Sequence, residues 1–517
     1  MRVSSVATVG FLLGSAVAYG AVDVLPNIPP GALVARLEVV ASGLSGEING
    51  TNQYFPTSLA ALPDGRLLVM TLGGVVRVID PVSGLLAAPY LDITNPATQI
   101  ATGNFGMTAI AAHPGFGDPG SAGYGKLYVL ETEVDGPTPP DFNDSLQQNA
   151  FGGAHHDVIV EYTADDPWAS VFSGTRREIL RVRQPGWDHN ISGFCFGVGA
   201  ESDLMYIASG DGANASQGFP AIRQNPQTLA NVFGKILRID PLGTNGVNGR
   251  YGVPETNPFV GQVGVRPEIY SWGHRAPYRI TADRETGAIW VGEVGQRNIE
   301  EVNLLSPGAN YGWPMKEGSF LFNQLLFDDL QIDEDLDGNG TGDFADANGL
   351  TDPVFEYDHG SGLAVIGGYI YRGDRFPLLR GRSVFGDFVR GGVLQSGFYH
   401  GDPSGGPVSG QSGAVQEFRR DPGGSALPQS LIGIGEDREG ELYLIGSLGG
   451  SGVVLRIVNG CPADLSEPAG VLDLADINAF AGAFLSQHPS ADLAAPGGVF
   501  DLGDIAAFVG SFVGGCP

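Results

Sequence analysis

The sequence predicts an all-β fold, a six-bladed β-propeller, followed by a small α-helical module of tandem loops and helices. Three observations lead there. The chain holds 80 glycines and 35 prolines beside 42% hydrophobic residues, a mixture that suits short strands joined by tight turns and excludes a disordered chain. A turn followed by an apolar or alternating strand recurs along most of its length. A duplicated segment with an offset of 28 residues then closes the chain.

The recurring phrase is explicit. Leu59 to Ile79 is built around Pro63-Asp64-Gly65, and Leu204 to Ser209 runs into Gly210-Asp211-Gly212. Lys126 to Glu131 is a further strand; Ala288 to Val294 follows Glu285-Thr286-Gly287, and Glu441 to Ile445 follows Asp437-Arg438-Glu439-Gly440. Such phrases make antiparallel meanders, and roughly 420 residues accommodate about six blades of four strands. The propeller is assigned to residues 35–458 and the second module to 459–517. A chain of 517 residues exceeds what one core usually supports, but propeller cores repeat blade by blade.

A net charge of −29 would repel a phosphate backbone and an anionic membrane surface, so nucleic acid is excluded as a natural partner. Residues 1–20 read as a secretory signal peptide: Arg2, an apolar run over Val9 to Ala18, and small residues at Ala16, Ala18 and Gly20. That run is too short to span a bilayer and no later stretch is long and apolar enough, so a secreted, periplasmic or cell-surface location without a membrane span is expected. Cys461 and Cys516 bracket the last segment and favour a disulfide in an oxidising compartment; Cys195, between two phenylalanines, reads as a buried apolar residue.

Within 459–517 the phrase Ala463-Asp464-Leu465 leading to Gly470-Val471-Leu472-Asp473-Leu474-Ala475-Asp476-Ile477 returns as Ala491-Asp492-Leu493 leading to Gly498-Val499-Phe500-Asp501-Leu502-Gly503-Asp504-Ile505. Each copy runs into a helix-like segment, Ile477 to Phe484 and Ile505 to Phe512. An oxygen-rich loop followed by a helix is half of an EF-hand, so Asp464, Asp473, Asp476, Asp492, Asp501 and Asp504 are candidate calcium ligands. The alternative is a disulfide-closed helical hairpin whose aspartates only cap helices. The tail resembles a dockerin domain, which implies a cohesin-like or cell-surface partner. It departs from that pattern by one extra residue before Gly470 and Gly498 and by Ser466, Pro468, Ala494 and Pro496 at usual ligand positions.

The propeller segment carries an ordered set of motifs. They are Gly186-Trp187-Asp188-His189-Asn190, Gly210-Asp211-Gly212, Phe233-Gly234-Lys235-Ile236-Leu237-Arg238-Ile239-Asp240-Pro241, Arg266-Pro267-Glu268-Ile269-Tyr270-Ser271-Trp272-Gly273-His274-Arg275, Gly292-Glu293-Val294-Gly295-Gln296 and Asn310-Tyr311-Gly312-Trp313-Pro314. In this order they resemble the soluble glucose/sorbosone dehydrogenase family, closest to its aldose sugar dehydrogenase branch. The resemblance implies a propeller that binds pyrroloquinoline quinone (PQQ) over a calcium ion, oxidises aldose sugars and passes electrons to an acceptor that the sequence does not name. A branch related to hedgehog-interacting proteins keeps the fold as a binding module, which is the alternative.

His189 is the candidate general base, since imidazole titrates near neutrality, and the neighbouring Asp188 is expected to orient it. By resemblance, Arg275 faces the quinone, where a guanidinium can stabilise developing negative charge. Gly295 and Gln296 fall where the family offers two backbone carbonyls to the cofactor's calcium, and Asn104 stands near the position of a family glutamine. Arg390 is a further candidate positive charge. Two departures stand out: Ala276 follows Arg275 where glucose dehydrogenases have asparagine, and the paired arginines of those enzymes have no match in Ser430 to Ile434.

A separate acidic stretch, Asp333-Glu334-Asp335-Leu336-Asp337-Gly338-Asn339-Gly340-Thr341-Gly342-Asp343, has the alternating oxygens and central glycine of a calcium loop, with Asp333, Asp335, Asp337, Asn339 and Asp343 as its ligands. His155-His156-Asp157 is read as surface, because adjacent strand residues face opposite sides and cannot easily share one ion.

Overall fold

The computed structural model describes residues 24–44, 47–48, 51–52, 55–94, 106–146, 155–212, 222–322, 330–333, 342–389, 395–405, 415–494 and 497–515. Antiparallel sheets dominate, in a propeller-like arrangement. The first sheet is Pro56–Ala61, Leu67–Thr71, Val75–Asp80 and Gly84–Leu85, with Leu91–Asp92 also on its third strand. Gly65 takes φ 88° in its first hairpin, a backbone only glycine adopts freely, as the Pro-Asp-Gly phrase predicts.

The second sheet orders Ala109–Ala112, Lys126–Val134, His155–Ala164 and Gly174–Gln184. The third holds Ile191–Phe196, Met205–Ser209, Lys235–Ile239 and Ile269–Trp272. Pro277–Ala282, Ile289–Glu293, Ile299–Leu304 and Phe355–Asp358 make the fourth. An eight-stranded sheet follows, made of two four-stranded units joined edge to edge. Val365–Ile370, Ser383–Asp387, Gly397–Gly401 and Val415–Arg420 form one unit; Ser430–Glu436, Leu442–Leu448 and Ser451–Asn459 are completed by Pro30–Ser42. That N-terminal strand pairs antiparallel with Ser451–Asn459 and parallel with Val415–Arg420, so the two ends of the propeller segment are held in one sheet.

The innermost strand of each unit lies against the next, and the strand at Ser430–Glu436 returns to Pro56–Ala61. Middle strands are buried from both faces, as at Leu67–Thr71, Met205–Ser209 and Ile289–Glu293. Their apolar side chains interdigitate between sheets: Leu431, Leu442, Leu444 and Leu455 are all fully buried in one such layer. Each such side chain contributes about 1.5–3 kcal/mol of burial.

The segment 305–354 between the third and fourth strands of the fourth sheet carries the turn at Asn310 to Pro314, a three-stranded sheet (Lys316–Glu317, Phe320–Phe322, Leu330–Ile332) and helix α1 (Asp343–Asn348). It lies back over the third sheet: Tyr311 donates to Trp272 O and Trp313 to Gly273 O, each at 2.9 Å. This connection brings the insertion to the site described below.

Beyond Asn459 the tail forms α2 (Leu474–Leu485) and α3 (Leu502–Gly514), whose Phe480 and Phe508 rings stack at 4.1 Å. Both helices start earlier than their apolar spacing suggests, because Asp473 and Asp501 are N-caps with complete capping boxes. Cys461 is disulfide-bonded; Cys516 lies outside the described residues. No described helix is long and apolar enough to cross a membrane.

The surface reading of His155-His156-Asp157 is corrected: each is 1% exposed. Consecutive residues of His155–Ala164 are buried almost throughout, so both faces of this strand, and not one alone, are covered by packing. Asp157 accepts from Gln184 Nε2 at 2.7 Å and from Ile191 N at 2.9 Å, while His156 Nδ1 lies 2.9 Å from Arg181. Cys195 is half-buried and lines a cavity among the innermost strands, and burial pushes its thiol far above the usual range.

Candidate active site

His189 sits in the loop between the second and third sheets with φ 51°, a conformation rare for non-glycine residues. Its Nδ1 lies 2.6 Å from Asp211 Oδ1, and its side chain is 5% exposed. The local sequence explains the approach. Gly210 N donates to Asn190 O and Gly212 N to His189 O, and a Cβ on Gly210 would stand 2.2 Å from His189 O. Glycine on both sides of Asp211 therefore lets two loops close until carboxylate meets imidazole. Asp188, expected in that role, accepts from the His189 backbone N–H at 3.0 Å; the carboxylate on the ring is that of Asp211. Asp188 shapes the turn, since a side chain one residue away reaches the backbone more readily than the ring.

Asp211 is fixed on every side. Trp313 Nε1 donates to its Oδ2 at 3.0 Å, Asn225 Nδ2 donates to its backbone oxygen at 3.0 Å, and its own N–H donates to Arg275 O at 2.8 Å. Asn225 belongs to a loop clamped by the buried Lys235, whose Nζ donates to the carbonyls of Asn225, Pro226 and Phe233. An ionised carboxylate can only accept, so a neutral imidazole paired with Asp211 donates from Nδ1 and leaves the lone pair on Nε2.

Arg275 follows the strand Ile269–Trp272 through Gly273, which takes φ 77°. Its backbone N–H donates to Glu293, and the other Glu293 oxygen meets His274 Nδ1 at 2.7 Å. The guanidinium donates to Val294 O at 2.7 Å and to Gln296 Oε1 at 2.9 and 3.1 Å, and lies 5.6 Å from the centre of the Trp313 ring. One indole thus contacts both the carboxylate that holds His189 and the guanidinium of Arg275. His189 and Arg275 are thereby linked through Asp211 and Trp313.

Positive charge accumulates here in an acidic chain. Burial first, and then the nearby Arg275 and Arg297, hold Arg223 below the usual arginine range against the pull of Asp211. Arg275, Arg297 and Arg223 thus cluster near Asp211, an arrangement that suits an anionic guest. Gly295 and Gln296 lie on the loop 294–299, which closes over the buried Glu317. Asn104 and Arg390 lie outside the described residues.

The other calcium candidates behave differently. Asp333 is buried and accepts from Phe344 N and Ala345 N, so it caps α1; Asp343 opens that helix, and Asp335, Asp337 and Asn339 lie outside the described residues. In the tail, Asp476 accepts from Leu465 N, Ser466 N and the Ser466 hydroxyl through Oδ1 and from Asp473 N through Oδ2. Asp504 repeats this with Leu493 N, Ala494 N and Asp501 N. Asp473 and Asp501 accept from Ala475 N and Gly503 N. Asp464 and Asp492 accept from Gly470 N and Gly498 N. Amide hydrogens rather than oxygens converge on Asp476 and Asp504, the capping arrangement, and among the described residues no group of three or more His, Cys, Asp or Glu is placed to hold a metal.

A cavity of about 210 Å³ lies among the innermost strands, lined by Cys195, Arg279, Tyr369 and Glu436. Neither His189 nor Arg275 borders it. The residue reading missed Asp211, Trp313 and Glu317; the glycines flanking Asp211 were the available signal for the first.

Residues 54–403 match the sequence model of the family described as Glucose / Sorbosone dehydrogenase. The HIPL1 protein of Arabidopsis thaliana is 28% identical over 86% of this chain, which spans 65% of its length. Mouse Hedgehog-interacting protein is 24% identical over 76% of this chain and 48% of its own length. The PQQ-bound aldose sugar dehydrogenase of Streptomyces coelicolor superposes with a TM-score of 0.52 at 20% identity, over 83% of this chain and 99% of that one. The match covers most of the propeller and includes every loop that builds the His189–Arg275 site: the chain belongs to the glucose/sorbosone dehydrogenase family.

Proposed function

We propose that this chain is an exported oxidoreductase that oxidises aldose sugars using PQQ held over calcium. In this reading the eight-stranded sheet counts as two of six blades, and the site lies on the loops at one end of the ring. The observation that carries the reading is the shared Trp313, which ties the His189–Asp211 pair to Arg275.

In this reading Nε2 of His189 takes the proton of the sugar's anomeric hydroxyl, and Asp211 stabilises the imidazolium that results. Arg275, with Arg223 and Arg297 near it, binds and orients the anionic cofactor, and the carbonyls of Gly295 and Gln296 hold the calcium. When bound, the quinone supplies the hydride acceptor. The close approach of the two loops at Gly210 sets Asp211 against Nδ1, and that hydrogen bond favours the tautomer with Nε2 open. The tail, in the same proposal, is a docking module on the exported protein, and the disulfide at Cys461 is consistent with an oxidising compartment.

The test is reconstitution of the purified chain with PQQ and calcium, following sugar-dependent reduction of a dye. Turnover that disappears in His189→Ala while quinone binding remains supports catalysis. Absence of quinone binding by the wild type overturns the proposal in favour of a binding propeller. That second reading is favoured by the relatives named as Hedgehog-interacting proteins and by Ala276 beside Arg275.

A further inference from the structure

The geometry points to Glu317 as the positioning residue that builds the cation-holding edge of this site. Its side chain is 1% exposed, and Oε1 accepts from four consecutive backbone amides: Gln296 at 2.7 Å, Arg297 at 2.8 Å, Asn298 at 2.8 Å and Ile299 at 3.1 Å. Oε2 accepts from Asn298 Nδ2 at 3.0 Å. None of these peptide bonds is cis. In a trans peptide the C=O points opposite to the N–H that follows it. Four amides turned toward one oxygen therefore turn the carbonyls of Gly295, Gln296, Arg297 and Asn298 away from it. Asn298 O accordingly accepts from His359 N at 3.1 Å on the other side.

Gly295 is the residue that permits this fold of the loop. A Cβ there would stand 1.8 Å from Ile299 O and 2.9 Å from Glu317 Oε1. The same turn sends the Gln296 side chain to Arg275, so one loop presents a carbonyl edge and an anchor for the guanidinium. A buried negative charge on the amide side also polarises these peptides, making their oxygens better cation donors. Glu317 touches neither cofactor nor substrate in this scheme; it acts through the peptides it aligns.

The inference rests on the quinone and calcium reading, and the experiment separates the two. Calcium is titrated into the full-length protein with PQQ, and the quinone absorbance gives the calcium concentration for half-saturation. Glu317→Ala is expected to raise that concentration about 10–100-fold, as loss of an outer carboxylate does at metal sites, while excess calcium restores the wild-type spectrum. Glu317→Gln, which keeps one acceptor oxygen but no charge, falls between. Glu356→Ala removes a buried carboxylate that grips Ser319 of the same insertion, and leaves half-saturation unchanged. An unaltered calcium requirement in Glu317→Ala overturns the inference while leaving the quinone reading intact. If that variant does not fold, an unaltered requirement in Glu317→Gln does the same. A wild type that binds no quinone at any calcium concentration overturns both.

Discussion

Two parts of this molecule place a carboxylate under a set of backbone amides, and they use it in opposite ways. In the propeller, Glu317 reaches the loop 296–299 from 18 to 21 residues away, on an inserted sheet. In the tail, Asp476 and Asp504 come from the first turn of the helix whose preceding loop they gather, with partners 3 to 11 residues away. A carboxylate from the helix's own first turn closes the loop on itself and becomes part of the fold. One supplied from an insertion shapes the loop from behind and leaves its other face for something else. The difference teaches that an acidic residue's role follows from where its partners lie, which composition does not reveal.

The largest expected effect sits at the mouth. Asp211→Asn should lower turnover of the reconstituted chain by about 10³-fold or more, as loss of the tautomer-fixing carboxylate does in comparable pairs. Its thermal midpoint should move little, and Asp188→Asn should stay within about threefold of wild type in the same kinetic assay. Equal losses in the two variants would break the assignment of Asp211. In the tail the pattern inverts. Asp476→Ala should remove about 3 kcal/mol from the module, the sum of a lost cap and charged hydrogen bonds, seen as earlier proteolysis after residue 459. Turnover should be unchanged, and a parallel loss of activity would show that the two regions are coupled.

Much of the fold was legible because turns and strands are local. Pro63-Asp64-Gly65 and Glu285-Thr286-Gly287 punctuate the strands that the structure contains, and the composition shift near Val458 falls beside the last strand, Ser451–Asn459. His189 and Arg275 were legible through the company of their motifs. Asp211 was hidden because its partnership with His189 depends on two loops meeting, while Asp188 was merely adjacent in sequence. Glu317 was hidden for a similar reason: nothing in Lys316-Glu317-Gly318 announces that its carboxylate turns under a loop twenty positions upstream. The buried His155-His156-Asp157 was misread because the alternation of a strand says which side chains share a face but not whether both faces are covered.

A chelator sharpens the same contrast at intermediate scale. Removing calcium should release the quinone from the reconstituted chain, measured by its absorbance after desalting. Unfolding of the tail helices should shift by less than about 2 °C, since their loops are gathered by Asp476 and Asp504. A tail that melts on chelation would instead favour the calcium-loop reading of those aspartates.

The smallest effect belongs to a third setting, a carboxylate with no amides gathered on it. Glu436 lines the cavity among the innermost strands, and burial pushes it up to about 7 from 4.5, with Arg284 3.7 Å away pulling the other way. A carboxyl group whose folded value is raised stabilises the fold fully below its unfolded value of 4.5, and that contribution is lost as pH rises through about 7. The wild-type midpoint should therefore fall by about 3 °C from this group between pH 5 and 8, and Glu436→Gln should flatten that part of the profile. The ion pair with Arg284 offsets some of the loss above neutrality, so the difference between the two profiles is the quantity to measure. Parallel profiles would mean that the cavity holds Glu436 charged throughout, with its penalty already met by the arginine.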